Sequence, residues 1–410
     1  MQKTPKGFRL HIGIFGRRNV GKSSILNAMT RQSVSIVSDT AGTTTDPVEK
    51  PMELLPLGPV LFIDTAGVDD TGALGEMRVD KTRQVFDRTD IGVIVTTPTG
   101  WGEFEKEILA HLKKRKIPAM VIFNKCDLGT PDQAIIDQLE AEKIPHLCTI
   151  ATEKKGVLEL REQLIQIVPE EFIKTPSIIG DLLPAGDLAM LVVPIDMEAP
   201  KGRIILPQVQ TIRDVLDNEA TCLICKDRDL SASLSRLKTP PAVVVTDSQA
   251  FEKVAADTPE EIPLTSFSIL FARLKGDLET FVEGAMQIGK LKTGSKVLIA
   301  ESCSHHPIGD DIGRVKIPNW LREFVGGELE ISVTQGHDFP ENLSEFDLVI
   351  HCGGCMWNRR EILSRILHCK DAGVPITNYG LTIAYTLGIF DRALKPFPNA
   401  QKVYESLKEK

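Results

Sequence analysis

The chain has 410 residues, of which 42% are hydrophobic and 25% are charged, and its formal net charge at pH 7 is −8. This length exceeds what one hydrophobic core usually organises, so two or three domains are expected. The acidic balance and the lack of a dense Lys/Arg run argue against a nucleic-acid partner. No stretch approaches 18 uninterrupted apolar residues and nothing at the start resembles a signal peptide, so we expect no membrane partner and a cytoplasmic location.

Apolar β-branched runs alternate with amphipathic stretches from Phe8 to about Val168. Strands are predicted at Leu10–Phe15, Val60–Ile63, Ile91–Val95 and Ala119–Phe123. Helices are predicted at Ser23–Met29, Met77–Phe86, Phe104–Leu112 and Val157–Val168. Strands that alternate with helices indicate a mostly parallel sheet covered on both faces.

The same alternation restarts twice, after proline-containing breaks at residues 169–186 and 258–265. The middle segment has predicted strands at 188–193, 221–224 and 242–245, with helices at 209–216 and 230–237. After a helical stretch over 267–291, the last segment has strands at 296–300, 329–333, 348–350 and 375–377, with helices at 319–324, 360–369 and 381–387. The sequence therefore predicts an α/β protein of three doubly wound domains, at residues 1–172, 173–262 and 263–410.

The segment GRRNVGKS at residues 16–23 fits the P-loop pattern and stands between a predicted strand and a predicted helix. Its glycines let backbone N–H groups turn toward phosphate oxygens at a helix N-terminus, where the helix dipole favours anions. Lys22 would reach the β- and γ-phosphates, and the Ser23 hydroxyl would ligate Mg²⁺. This context predicts a nucleotide triphosphate site.

Two further motifs follow in the order that a guanine-nucleotide site requires. DTAG at residues 64–67 ends an apolar strand, so Asp64 can hold Mg²⁺ through water and the Gly67 N–H can sense the γ-phosphate. NKCD at 124–127 follows another strand, and the Asp127 carboxylate can accept both guanine N1–H and N2–H₂, which adenine does not offer. These motifs predict GTP as the nucleotide.

A polar stretch at residues 41–46 suits a switch loop ordered by Mg²⁺ and the γ-phosphate, with Thr44 as the metal ligand. A base-contacting final loop is expected near Thr149–Thr152. The predicted catalytic residues are Lys22, Thr44, Asp64 and Gly67. The predicted residues of the GTP and Mg²⁺ site are Gly16, Asn19, Val20, Gly21, Lys22, Ser23, Ser24, Thr44, Asp64, Gly67, Asn124, Lys125 and Asp127.

These motifs resemble the GTPases of the TrmE–Era group over roughly residues 8–170. The resemblance implies that Asn19 coordinates K⁺, an ion that can take the place of an arginine finger. Val68 occupies the position of the water-positioning glutamine of Ras-like proteins, so slow, potassium-stimulated hydrolysis is implied. The chain departs from the group at Arg18, where proline is usual, which we expect to alter loop stiffness rather than to abolish binding.

Cysteine and histidine residues cluster after two predicted strands of the last segment. CSH at residues 303–305 follows one strand, and HCGGC at 351–355 follows another. Ligand sites in open α/β sheets lie outside the carboxyl ends of strands, so Cys303 is expected near Cys352 and Cys355. Three thiolates with nearby imidazoles suit either an iron–sulfur cluster or a closed Cys₃His zinc site, and spacing alone leaves both open.

Other candidate residues have a plainer interpretation. Cys222 and Cys225 also form a C-x-x-C pair, but they lie within an apolar strand, where positions i and i+3 face opposite sides, and are expected in the core. Cys126, Cys148 and Cys369 are likewise expected to be packing residues. A solvated turn is the favoured interpretation of His337 and Asp338, and Asn378 and Tyr379 are candidates for lining the pocket.

A TrmE–Era-type head, a middle α/β domain and the CSH and HCGGC motifs together resemble the [FeFe]-hydrogenase maturation GTPases, the HydF family, over nearly the whole chain. The resemblance implies a P-loop GTPase domain, a middle dimerisation domain that makes a homodimer, and a C-terminal iron–sulfur cluster-binding domain. It also implies that Cys303, Cys352 and Cys355 bind a [4Fe–4S] cluster, with His305 and His351 near its fourth iron site. The implied role is a scaffold that receives a diiron subcluster through the radical-SAM maturases HydE and HydG and delivers it to apo-[FeFe]-hydrogenase.

Two other function classes fit part of the sequence. A regulatory GTPase acting on RNA or the ribosome, with a structural zinc site, predicts a basic surface that the charge of −8 does not favour. An enzyme that uses a cluster for redox catalysis needs a substrate pocket with acid and base groups, and the sequence identifies none.

Overall fold

The computed structural model describes residues 4–30, 48–54, 58–65, 84–169, 177–194, 204–302, 311–340 and 342–409. The chain divides into two compact units, Met1–Thr175 and Pro176–Lys410. The first unit contains one sheet and the second contains two, so the predicted middle and C-terminal domains lie in one compact unit. Within the described ranges, no helix has the length and apolar character needed to cross a membrane.

The first unit is built on a six-stranded sheet in the order β2-β3-β1-β4-β5-β6. Its strands are β1 (Leu10–Phe15), β2 (Val48–Leu54), β3 (Gly58–Asp64), β4 (Ile91–Thr96), β5 (Ala119–Asn124) and β6 (His146–Thr149). All neighbours pair in parallel except β2 and β3, which are antiparallel. The helices described for this unit are Lys22–Thr30, Glu103–Lys114, Gln133–Ala141 and Val157–Gln166.

Alternate residues of the central strands face two separate hydrophobic cores. On β1, Ile12 and Ile14 pack with Leu26 of the first helix in one core. Phe15 lies in the other core, with Leu109 of the helix Glu103–Lys114. Because both faces are covered by helices, every residue of β1, β4 and β5 is buried. The doubly wound arrangement predicted from the apolar runs is confirmed for this unit.

Three elements of this sheet were not predicted from the sequence. These are β2, β6 and the helix Gln133–Ala141; β2 and β6 have weak apolar patterns because they are edge strands with partly exposed residues. The predicted helix at 77–86 falls mostly on residues outside the described ranges.

The middle sheet of the second unit has the order β10-β9-β7-β8, with all pairs parallel. Its strands are β7 (Leu188–Val192), β8 (Thr221–Cys225), β9 (Val243–Thr246) and β10 (Leu264–Ser266), and its helices are Leu206–Asp217, Leu230–Leu234 and Phe251–Asp257. The predicted domain end at residue 262 is too early, since β10 pairs with β9 beyond it. The strand β10 was not predicted, because it has only three residues and the segment 258–265 contains two prolines and two glutamates.

The last sheet has the order β12-β11-β13-β14 and is also parallel. Its strands are β11 (Lys296–Glu301), β12 (Glu330–Gln335), β13 (Leu348–His351) and β14 (Ile376–Asn378). The helices that follow the middle sheet are Phe267–Lys275, Leu278–Ala285, Ile317–Val325, Arg359–Asp371, Tyr379–Thr386, Phe390–Leu394 and Pro398–Lys408.

Side-chain caps explain where the helices around this sheet begin. Asn358 accepts the Glu361 N–H at 3.2 Å, and Asn378 accepts the Leu381 N–H at 2.9 Å. Asn at such a position satisfies a backbone donor that the helix itself leaves unpaired. Asn378 is the last residue of β14, and Asn358 comes three residues after Cys355, so both caps fix the backbone beside the predicted metal site.

Candidate functional site

The P-loop of the first unit leaves β1 at Phe15 and enters the helix Lys22–Thr30. Gly21 has φ +98°, and a Cβ there would lie 2.2 Å from Asn124 Nδ2, so this position requires glycine. The buried Lys22 ammonium donates to the carbonyl oxygens of Gly16 and, at 2.9 Å, Arg17. The lysine therefore lies folded back over the loop that is expected to enclose the phosphates.

The NKCD motif contacts the P-loop from the end of β5, which is separated from β1 by β4. Asn124, at the end of β5, donates from Nδ2 to the Val20 carbonyl oxygen at 2.9 Å. Lys125 donates from Nζ to the Asn19 carbonyl oxygen at 2.6 Å. Both Asn19 and Lys125 have positive φ, 64° and 65°, so two left-handed turns meet at this contact.

The loop after β6 joins the same group of residues. Asn124 Oδ1 accepts from Thr149 Oγ1 at 3.1 Å and from the Ala151 N–H at 3.2 Å. The Cys126 N–H donates to the Thr149 carbonyl oxygen at 3.2 Å. The loop near Thr149–Thr152, which the sequence nominated for base contact, therefore lies against the NKCD motif.

The remaining predicted nucleotide residues have different exposures. Asp64 is buried at the end of β3, next to Thr65, whose hydroxyl donates to the Ile14 carbonyl oxygen at 2.8 Å. Asn19, Ser24 and Asp127 are exposed and Ser23 is half-buried, so these side chains are accessible to solvent. Thr44, Gly67 and Val68, together with the switch segment 41–46, lie outside the described residues.

An ion pair that the sequence did not reveal anchors the P-loop. Arg17 donates from Nε and Nη2 to the two carboxylate oxygens of Glu105, at 3.0 and 3.2 Å. Glu105 is fully buried and also accepts the Gly102 N–H at 2.9 Å. Bidentate pairing of this kind fixes both side chains. No local pattern signals it, because Glu105 lies 88 residues from Arg17 along the chain.

The cysteine site lies where neighbouring strands of the last sheet end together. His351, the last residue of β13, pairs in register with Ala300 of β11 and with Asn378 of β14. Ser302 follows β11 directly, and its N–H and hydroxyl oxygen lie 3.1 and 3.0 Å from Cys352 Sγ. The carboxyl end of β11 is thus in contact with the first cysteine of the HCGGC motif.

His351 is buried beneath the loop that carries the cysteines. Its Nδ1 lies 2.6 Å from the Cys352 carbonyl oxygen, so Nδ1 carries the proton and Nε2 has a free lone pair. Within the described ranges, Nε2 is buried and has no hydrogen-bond partner. Burial, together with the nearby Arg365 guanidinium, lowers the pKa of His351 to about 3. A neutral imidazole nitrogen is therefore available at this site.

The glycines of the HCGGC motif let the loop turn sharply between its two thiols. Gly354 has φ +59°, and a Cβ there would lie 2.7 Å from Ile362 Cδ1. Cys352 and Cys355 are both half-buried, and burial raises the pKa of the Cys355 thiol. Thiolates and a neutral imidazole are ligands of iron and of zinc alike.

Buried cations that the sequence analysis missed surround this loop. Lys275 is 3% exposed, and burial lowers its pKa to about 8. Arg365 is also buried, and its guanidinium lies 4.1 Å from the centre of the Trp357 ring. A Lys or Arg within an amphipathic helix normally indicates a solvent-facing position, so neither residue carried a local signal.

Three residues that were predicted near the cysteine site, His337, Asn378 and Tyr379, lie in a turn or at the start of a helix. His337 lies in a turn with a partly exposed side chain, as predicted, but its Nδ1 is also hydrogen-bonded to Glu361 and its ring stacks on Trp357 at 5.5 Å. Asn378 holds Ser268 through its Nδ2 and caps a helix, and Tyr379 begins that helix. Cys303 and His305 lie outside the described residues.

The other cysteines were predicted to be core or packing residues, and the structure agrees only in part. Cys222 and Cys225 are half-buried rather than fully buried, because β8 is an edge strand of its sheet. Cys148 is exposed and Cys126 is half-buried, whereas Cys369 is buried as expected. Across the described part of the chain, no three His, Cys, Asp or Glu residues are grouped so that they could hold a metal ion.

Family models match segments of the chain in each of the three sheets. Residues 178–276 match the model of the hydrogen maturase F dimerization domain, and residues 279–396 match that of the hydrogen maturase F tetramerization domain. Residues 11–125 match the model described as 50S ribosome-binding GTPase. Together the two maturase models match more than half of the chain.

Curated relatives and solved structures resemble about two fifths of this chain. The tRNA modification GTPase MnmE of Trichormus variabilis is 35% identical over 171 residues, 40% of this chain and 35% of that protein. GTPase Der of Wolinella succinogenes is 29% identical over 172 residues, 40% of this chain and 36% of that protein. This chain therefore spans about a third of the length of these relatives. The structure of Aquifex aeolicus Era bound to GDP.AlF4− is 26% identical, covers 39% of this chain and 56% of that one, and has a TM-score of 0.34.

The first unit is a GTPase domain. The P-loop, the contacts of the NKCD motif with it, and the match to a GTPase family model all support this assignment. The second unit consists of the two domains that the maturase models describe. The chain belongs to the hydrogen maturase F family, the HydF GTPases of hydrogenase maturation.

Proposed function

We propose that this chain is a GTP-hydrolysing scaffold that binds a [4Fe–4S] cluster and assembles and delivers the diiron subcluster to apo-[FeFe]-hydrogenase. The observation that carries the proposal is the contact between Ser302 and Cys352 Sγ, at the ends of adjacent strands in a maturase F chain. Cys303 is the next residue after Ser302 in the sequence. The proposed cluster ligands are Cys303, Cys352 and Cys355.

The described residues fit such a cluster in two respects. The Ser302 N–H and hydroxyl are within hydrogen-bonding distance of Cys352 Sγ, and hydrogen bonds to sulfur stabilise thiolate ligands of iron–sulfur centres. His351 presents a buried imidazole nitrogen without a partner among the described residues. We place His351 and His305 near the fourth iron site, where a cluster with three thiolate ligands has a position for an exchangeable ligand.

GTP and Mg²⁺ would bind in the first unit. Lys22 would exchange its carbonyl contacts for the β- and γ-phosphates, and Ser23 and Thr44 would hold Mg²⁺. Asp64 would orient a metal-bound water, and the exposed Asp127 would select guanine. With valine at position 68, we expect hydrolysis to be slow and to be stimulated by K⁺ held at Asn19. Hydrolysis rates in K⁺ and in Na⁺ at equal ionic strength test this point.

The proposed partners follow from the delivery role. HydE and HydG, the radical-SAM maturases, would supply the diiron unit, and apo-[FeFe]-hydrogenase would receive it. A homodimer formed through residues 178–276 is proposed as the assembling form. The GTP state would regulate the exchange of partners rather than drive cluster chemistry.

The deciding experiment is an assay of iron, acid-labile sulfide and zinc in anaerobically purified protein, with EPR after reduction. We expect about four irons and four sulfides per chain and a reducible signal. Cys352→Ala should lose this signal and Cys222→Ala should keep it, because Cys222 has the same C-x-x-C spacing on an edge strand. Stoichiometric zinc that survives attempted cluster reconstitution, with no EPR signal, would reject the proposal.

A further inference from the structure

Lys275 makes an unusual set of contacts for a lysine at the end of a helix. It is the last residue of the helix Phe267–Lys275, and its ammonium donates to the carbonyl oxygens of Gly354 at 3.0 Å, Cys355 at 3.0 Å and Trp357 at 2.6 Å. All three acceptors belong to one turn of backbone, residues 354–357, which we call the cysteine loop. A lysine ammonium has three donors, and these three bonds use all of them.

A second cation makes the reciprocal contact. Arg359, which begins the helix after the cysteine loop, donates from Nη1 to the carbonyl oxygens of Leu274 at 2.7 Å and Gly276 at 3.1 Å. These two carbonyls flank Lys275 on either side. Each backbone segment therefore has its carbonyl oxygens held by a cation from the other, and the two segments are fixed in position and orientation.

Burial of the Lys275 ammonium has a free-energy cost that its contacts must offset. Taking an ammonium out of water is unfavourable unless strong acceptors replace the water. A lysine stem of four carbons normally lets the charge reach solvent at a helix end, yet here the side chain is 3% exposed. Methionine or leucine would fill the same space without this cost, but neither could hold three carbonyl oxygens.

The helix that carries Lys275 belongs to the middle part of the chain. Residues 178–276 match the dimerization domain, whereas the cysteine loop lies in the stretch matched by the tetramerization domain. The same helix packs against the helix Leu206–Asp217 of the middle sheet and against the helix Arg359–Asp371. At its other end, the Gly380 N–H donates to Ser268 Oγ at 3.1 Å, beside β14. The helix thus connects the middle sheet to the strand ends around Cys352.

We propose that Lys275 is a positioning residue that holds the cysteine loop in the shape that retains a metal at Cys352 and Cys355. Because its helix is part of the middle domain, the metal site is complete only when that domain is packed against the last sheet. The metal part of this inference rests on the proposed function, whereas the loop-holding part concerns the protein without metal.

The first test uses metal-free, full-length protein and hydrogen exchange. The Trp357 N–H donates to the Gly354 carbonyl oxygen at 3.1 Å, and Lys275 holds that same carbonyl, so this amide reports on the loop. In Lys275→Met we expect the Trp357 amide to exchange on the order of tenfold faster or more, because a charged hydrogen-bond donor is lost. Lys290→Met is the matched control, since Lys290 is exposed, and it should leave this amide unchanged.

The second test measures metal retention after cluster reconstitution under anaerobic conditions. Lys275→Met should release iron to a chelator several times faster than the wild type and Lys290→Met, and its cluster should have a more negative midpoint potential because a nearby positive charge is gone. Arg359→Gln, which removes the reciprocal contact and keeps the Lys275 ammonium, should show a smaller increase in both exchange and iron release. If circular dichroism shows that Lys275→Met does not fold, Arg359→Gln is measured in its place.

The outcomes separate the two proposals. Folded Lys275→Met with wild-type Trp357 exchange overturns the positioning role, whatever metal is bound. If exchange rises but iron release and potential match the wild type, Lys275 orders the loop without serving the metal, and the inference is also wrong. Wild-type protein that takes up no cluster rejects the proposed function, while the exchange result still decides whether Lys275 holds the loop.

Discussion

Replacing Asn124 by alanine is expected to weaken the nucleotide site and the stability of the first unit together. The side chain is 2% exposed and makes three hydrogen bonds, to the Val20 carbonyl oxygen, the Thr149 hydroxyl and the Ala151 N–H. Each neutral hydrogen bond contributes about 1 kcal/mol net. The loss should therefore be about 3 kcal/mol of unfolding free energy, because alanine leaves all three partners buried and unpaired.

The neighbouring Lys125 offers a matched comparison. It makes one bond to the next P-loop carbonyl, that of Asn19, but this contact is exposed to solvent. Lys125→Met should therefore cost only about 0–1 kcal/mol. The two replacements should thus differ about threefold or more in the unfolding free energy that they cost, because Asn124 makes three buried hydrogen bonds and Lys125 makes one exposed bond.

Hydrogen exchange of the slowest amides in β4 and β5 measures the opening free energy of the first unit separately from the second. A titration with fluorescent GTP measures affinity in the same variants. Asn124→Ala should weaken GTP binding at least tenfold, since a displacement of the P-loop relative to the base-side loop costs on the order of 1.4 kcal/mol or more. Equal losses of stability in Asn124→Ala and Lys125→Met would refute this reasoning, because the number and burial of these hydrogen bonds would then not set their contribution to stability.

Three further predictions test other parts of the chain. Lys22→Ala should abolish GTP hydrolysis and leave the iron content unchanged, because the two sites lie in different units; loss of both from a folded protein would contradict this. The low pKa of His351 means that the unfolded chain takes up a proton below about pH 6.5 that the folded chain does not, so acid should destabilise the metal-free second unit by up to about 1.4 kcal/mol per pH unit toward pH 3. His351→Gln should flatten this slope in urea titrations at several pH values. Arg392→Met should destabilise the second unit by about 3 kcal/mol or more in urea, since the buried Arg392 guanidinium holds the carbonyl oxygens of Ala255, Thr258 and Pro259 at 2.6–2.7 Å.

The sequence alone was enough to predict the α/β class and most buried strands. A strand covered on both faces is mostly apolar, so β1, β4, β5, β11 and β13 are visible in the sequence as short apolar runs. Edge strands lack this constraint. β2 and β6 were missed, and β8 was taken for a core strand, because position within a sheet depends on the pairing of distant segments.

The P-loop, DTAG and NKCD motifs were also recognisable in the sequence, since each is a short segment with fixed residue types at fixed spacing. What the sequence did not show is how the motifs support one another. The contact of Lys125 with the Asn19 carbonyl oxygen joins residues 106 positions apart. The pair of Arg17 and Glu105 joins residues 88 positions apart, and a glutamate in a helix ordinarily indicates a solvent-facing position.

At the HCGGC segment the sequence predicted a thiolate site, and the tertiary structure decided its surroundings. The residue types in HCGGC and their place after an apolar strand indicated a thiolate site without any knowledge of the fold. The partners of the loop come from elsewhere: Ser302 lies 50 residues from Cys352, and Lys275 lies 79 residues from Gly354. Only the packing of parallel strands and of the helix Phe267–Lys275 brings these groups together, because hydrogen bonds between distant segments leave no periodic or local pattern in the sequence.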